Sequence, residues 1–91
     1  RNMKVVFRGL ADQGNPDLLA IEKGENVAKG IGIALFEEQG NIIPINSGKL
    51  PIRVNNSGPL TLNLIAKYRA TSTQVSGGIA NAQAWFSLTY Q

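Results

Sequence analysis

The sequence predicts an all-β domain, a sandwich of two antiparallel sheets, and three observations carry that prediction. Stretches that alternate apolar and polar residues recur along the chain, with the period of half-buried strands. Ten glycines, with clusters of Asn, Asp, Ser and Pro, separate these stretches as turn formers do. Val, Ile, Leu and Thr are frequent, and no window keeps a helical period long enough for a stable helix. Roughly six or seven strands result, a number that suits the immunoglobulin type of sandwich.

In chain order, Met3 to Arg8 alternates, with Met3, Val5 and Phe7 on one face, and Gly9 ends the run. Asp12 to Asp17 is a loop of turn formers, and its Pro16 cannot sit in a central strand. Leu18 to Ile21 is a short apolar run, and Glu22 to Lys29 is polar and expected at the surface. Gly30 to Glu37 reads as a strand with Ile31, Ile33 and Leu35 inward; Gly32 and Ala34 are small, as if another element lies close on their side. Glu38 to Asn41 is a turn in which Gly40 supplies positive φ, and Ile42 to Ile45 pairs back as a hairpin. Pro44 and Pro51 place the strands that hold them, Ile42 to Ile45 and Lys49 to Val54, at sheet edges. Asn55 to Pro59 is a turn, and Leu60 to Arg69 is the longest strand, apolar at Leu60, Leu62, Leu64, Ala66 and Tyr68. A Ser/Thr/Gly loop from Ala70 to Asn81 then leads into Ala82 to Gln91.

The chain is organised around that final stretch. Ala82, Ala84, Phe86, Leu88 and Tyr90 alternate with Gln83, Ser87 and Thr89, and Trp85 alone breaks the polar set. Chain ends fray unless something ties them down, so a strand this regular reads either as the ordinary last strand of a sandwich, which the pattern alone favours, or as a strand that something binds. Trp85 lies on the opposite side of the strand and is expected either to pack in the inner face of the sandwich, the slightly favoured reading, or to sit at a contact with another molecule.

Composition narrows the function. At 91 residues with no cysteine, the core is small and no disulfide staples it. The absence of histidine as well excludes Ser-His and Cys-His nucleophiles and His-based metal sites within this chain. The net charge of +3 comes from scattered Lys and Arg, with no basic stripe of the kind nucleic acid requires. No apolar run is long enough to span a bilayer as a helix. Glu37 and Glu38 are neighbours beside a turn and point to opposite faces, so they do not form a catalytic carboxylate dyad. Gly30-Ile31-Gly32 lacks the third glycine and the following helix of a dinucleotide motif. No cofactor site and no catalytic residue is read from the chain.

Several blocks together resemble a known family. They are Val5 to Asp12, Asp17 to Ile21, Gly30 to Ile33 with Leu35, Asn41 to Ile45, Leu64 to Thr71, and Gly78 to Ala82 leading into Phe86 to Gln91. In these blocks the chain resembles the C-terminal part of a type 1-like fimbrial subunit, a pilin of the chaperone–usher class. The closing block is the most specific, because pilins end on an alternating strand with a penultimate aromatic, here Tyr90, and a glycine ahead of it, here Gly78.

The resemblance implies an incomplete immunoglobulin-like sandwich that is completed by a donated strand. It implies that residues 1–91 are the C-terminal portion of a single pilin domain. The N-terminal donor extension and a disulfide-tied pair of early strands are expected to precede it. A periplasmic chaperone would first fill the vacancy, an outer-membrane usher would assemble the fibre, and a neighbouring subunit's N-terminal strand would replace the chaperone. The product would be an extracellular fimbrium of a Gram-negative bacterium, a structural rather than an enzymatic role. The alternative implied is the pilin domain of a carbohydrate-binding tip adhesin. The groove and chaperone contacts would fall on Leu62, Leu64, Tyr68, Ala82, Ala84, Phe86, Leu88 and Tyr90, with the carboxylate of Gln91 meeting basic chaperone residues.

Overall fold

Seven strands follow one another: β1 (Met3–Gly9), β2 (Leu19–Ala20), β3 (Ile31–Phe36), β4 (Ile42–Ile43), β5 (Ile52–Val54), β6 (Ile65–Ala70) and β7 (Ala84–Tyr90). The computed structural model describes residues 3–47, 52–54, 63–78 and 80–90, with side chains for 5–47, 63–78 and 80–87. Among the described residues there is no helix. The strands form two open antiparallel sheets, as in an immunoglobulin-like sandwich.

The first sheet runs β5-β1-β7. The second is built on β3. Along one edge of β3, β2 pairs at Gly32 and Ile33 and β4 pairs at Leu35 and Phe36, so these two short strands lie in tandem. Strand β6 covers the whole opposite edge, from Ile31↔Ala70 to Phe36↔Ile65. The expected hairpin is therefore present, closed by Glu37 and Asn41 with Gly40 at φ 92° between them. Asn63, just ahead of β6, donates a hydrogen bond to the Glu38 carboxylate in that turn.

The core lies between the sheets. Val5 and Phe7 of β1 meet Leu19, Leu35, Ile43 and Ile45, with Ile33 packed against them. Ile33 and Leu35 thus face inward as their alternation requires. A second cluster lies on the far side of β3, where Leu18 covers Ala34 and Phe36. This is the element the small residues anticipate: a Cβ on Gly32 would come within 3.2 Å of the Leu19 carbonyl and 3.3 Å of the Leu18 side chain. The cations of Lys67 and Arg69 lie 5.2 and 5.4 Å from the Phe36 ring centroid, so their stems and charges cover this outer aromatic.

Three sequence readings change. Leu18 to Ile21 is a two-residue strand, because only Leu19 and Ala20 reach β3. In the polar run before β3, Ala28 is buried and Lys29 exchanges backbone hydrogen bonds of 3.1 Å with Ser76. The long strand expected from Leu60 is observed from Ile65, while Leu60 and Leu62, like Lys49 to Pro51, lie outside the described residues.

Asn46 joins the sheets. Strand β5 occupies the edge of β1 only as far as Val5. Beyond it, the Asn46 N–H donates to the Phe7 carbonyl at 2.7 Å, its Nδ2 donates to the Gly9 carbonyl at 2.8 Å, and its Oδ1 accepts from the Gly9 N–H at 3.1 Å. A single side-chain amide continues the ladder that a strand would otherwise supply. Its φ of 56° is a left-handed conformation that asparagine tolerates better than most residues. Asn46→Ala should leave the Gly9 amide unprotected in hydrogen exchange and destabilise the chain by about 1–3 kcal/mol. Asn46→Asp, which keeps the acceptor, should retain that protection; equal loss in both variants would show that the amide does not hold Gly9.

A backbone contact fixes the far end of β3. Gly30 has φ 76°, and a Cβ there would stand 2.1 Å from the Gln74 carbonyl oxygen. Gly30→Ala therefore combines a left-handed strain with a collision against backbone, and a loss of roughly 2 kcal/mol or more is expected in equilibrium unfolding. A change below about 0.5 kcal/mol would mean that the 74–78 segment does not rest on Gly30.

Candidate functional site

An open sheet leaves edges with unpaired backbone groups, and proteins guard such edges with short strands, charges or prolines. Strands β2 and β4 are two residues each, and Pro44 follows β4. Strand β5 is three residues with Arg53 at its centre, and β6 carries Lys67 and Arg69. Strand β7 has none of these devices: it is seven residues, Ala84-Trp85-Phe86-Ser87-Leu88-Thr89-Tyr90, without charge or proline. One edge of β7 pairs with β1 along its whole length, from Met3↔Tyr90 to Gly9↔Ala84. Among the described residues, no strand pairs the other edge.

The register decides which side chains flank that edge. Phe86 stands opposite Phe7, the ring centroids 6.3 Å apart and tilted by 56°. Phe7 is buried, yet Phe86 is 58% exposed. Phe86 thus belongs to the core face and continues the core into solvent. Leu88 stands opposite Val5 and Tyr90 opposite Met3 in the register, while Ala84 stands opposite Gly9. Ala82, just before β7, is half-buried against the core. Ala84, Phe86, Leu88 and Tyr90 are thus alternate positions of β7 in the register.

Trp85 does not pack in the inner face. It stands opposite Arg8, on the side away from Phe7, and is 59% exposed. The cause is parity: with Phe86 on the core side, its neighbour must point outward. On that outer side Arg8 Nε donates to Ser87 Oγ at 3.4 Å.

Tyr68 belongs to the second sheet, and Leu64 precedes it outside the strand. Tyr68 pairs with the inward-facing Ile33, yet it is 65% exposed, and Leu64 is exposed just ahead of β6. Tyr68 lines an open cavity of about 290 Å³ with Ile31, Ala28, Val75 and Ala80. The sequence reading did not single out Val75 or Ala28, and took Ala80 only as a small residue that permits a close approach or reflects tight sheet packing. The Gly77-Gly78 pair hinted that two segments approach closely there: a Cβ on Gly78 would fall 2.5 Å from the Asn26 carbonyl oxygen. Leu62 and Gln91, the remaining expected contacts, lie outside the described residues. Among the described residues, no cluster of acidic side chains could hold a metal ion.

The core face of the sandwich thus reaches solvent at Phe86, beside an unguarded strand. The fimbrial protein family model matches residues 1–91. The chain belongs to the fimbrial protein family. It is 30% identical over 91 residues to the probable major fimbrial subunit LpfA of Escherichia coli O157:H7, covering 100% of this chain and 51% of that protein. It is 31% identical over 94 residues to a type-1 fimbrial protein subunit of Serratia marcescens, covering 93% of this chain and 52% of that one. In three dimensions it resembles the crystal structure of an antigen and type I fimbria protein of Burkholderia pseudomallei, with a TM-score of 0.71, 35% identity, and 96% of this chain against 59% of that chain. The fimbrial chain thus spans about half the length of the curated relatives it matches.

Proposed function

We propose that residues 1–91 are the C-terminal portion of a pilin domain, and that β7 is the acceptor edge for a donated strand. The observation that carries this is the pairing of a free, uncharged β7 edge with Phe86, a core-face aromatic left 58% exposed. An added strand would satisfy the outer N–H and C=O groups of β7, and its alternate side chains would cover Phe86 and the core face. Each buried side chain would contribute roughly 1.5–3 kcal/mol, less the ordering costs of association.

In this reading the donor is first a periplasmic chaperone and then the N-terminal extension of the next subunit, delivered at an outer-membrane usher. The product is a surface fimbrium in which the subunit is structural. Ala82, Ala84, Phe86, Leu88 and Tyr90 line the row that the donor covers, Tyr68 contributes from the facing sheet with Leu64 just ahead of it, Leu62 is a further groove contact, and Gln91 anchors the chaperone.

A peptide with alternating apolar residues tests the reading directly. It should bind and slow hydrogen exchange at those β7 amides that do not point to β1. A peptide of the same composition in scrambled order should do neither. Equal binding of both peptides, or binding with no protection in β7, would place the acceptor elsewhere.

A further inference from the structure

Strand β7 is complementary to itself, and we propose that a second copy of this chain occupies its free edge when no donor strand is present. The proposal goes beyond the donated-strand reading and needs only that the edge be open. In an antiparallel pairing centred on Ser87, all seven residues of β7 find partners: Ala84 with Tyr90, Trp85 with Thr89, Phe86 with Leu88, and Ser87 with its own counterpart. Antiparallel pairing about one residue keeps the parity of positions, so the core-side row of one copy meets the core-side row of the other. Apolar positions thus meet apolar positions on that side, with Ser, Thr and Trp on the other. No charge opposes its own copy across the junction, since β7 has none. The other long edge, β6, would set Lys67 and Arg69 of two copies against each other, which disfavours the same association there. The result is a two-fold dimer with one continuous sheet, β5-β1-β7 followed by the same three strands in reverse order.

The absence of cysteine makes the test simple, because one introduced thiol is unique. Ser87→Cys places two thiols across the axis, where the Cα separation of roughly 4.5–5.5 Å in an antiparallel pair lies within disulfide range. Gln83→Cys places them roughly 26 Å apart in the same dimer, from eight residues of offset at the rise of a strand. Under mild oxidation, Ser87→Cys should form a linked dimer about tenfold faster or more than Gln83→Cys. The unmodified chain should sediment as a dimer, a readout that does not depend on either variant. A monomer at every concentration accessible to sedimentation, or equal linking rates at the two positions, would overturn the proposal. Addition of the alternating peptide separates the two readings. A peptide that binds a monomeric chain leaves the donated strand standing and removes the dimer; a linked dimer indifferent to the peptide does the reverse.

Discussion

Phe86→Asp is expected to abolish strand capture. The aromatic lies on the core face of β7 against Phe7, and an added strand would bury most of what is now exposed. The substitution removes an apolar side chain whose burial is worth roughly 1.5–3 kcal/mol. It also leaves a carboxylate to be desolvated, with no charged residue in β7 to pair it, at a further cost of several kcal/mol. A combined loss of about 4 kcal/mol or more corresponds to roughly a thousandfold in affinity. The measurement is peptide binding followed by Trp85 fluorescence, since Trp85 is exposed on the opposite side of the same strand. Trp85→Asp, read by hydrogen exchange, should weaken capture far less, because its side chain does not face the donor. Tyr90→Asp should behave as Phe86→Asp if the alternation continues through the register. Fibres that incorporate Phe86→Asp normally would refute the acceptor assignment. Circular dichroism of both variants separates loss of capture from loss of fold.

A second large effect is expected on stability. The described chain exposes Phe86 and Tyr68 from the inward-facing rows of its two sheets, so much of its core surface stays in contact with water. A chain of this size has little margin to spare. Its unfolding temperature should therefore be low and should rise with protein concentration and with added donor peptide. At a hundredfold excess of peptide over its dissociation constant, linkage adds about 2.7 kcal/mol. For a domain of this length that corresponds to a rise of roughly 10–20 °C. Cooperative unfolding of a dilute monomer at a temperature that neither peptide nor concentration alters would count against a vacancy in the sandwich.

Much of this was legible in the residues. The alternation of Met3 to Phe7, of Ile31 to Leu35 and of Ala82 to Tyr90 marked three strands and the inward face of each, because side chains alternate strictly on an extended backbone. Gly32 and Ala34 announced the close approach of Leu18 and Leu19. Trp85 misled because a large aromatic suggests burial, whereas parity with Phe86 sends it outward. Asn46 and the Val75 cavity could not be anticipated. The partners of Asn46 lie 37 residues away at Gly9, and the cavity is lined by segments from three parts of the chain.

The period of apolar residues by itself determined that this protein is all-β and where most of its strands run, while the resemblance to fimbrial subunits was carried by particular residue blocks such as Gly78 to Ala82 and Phe86 to Gln91. Only the tertiary structure decided that β7 pairs with β1 on one side and, among the described residues, has no strand on the other. Side-chain alternation is a local property, written residue by residue. Strand pairing is made by backbone groups that are the same in every residue except proline, so it depends on which distant segments meet.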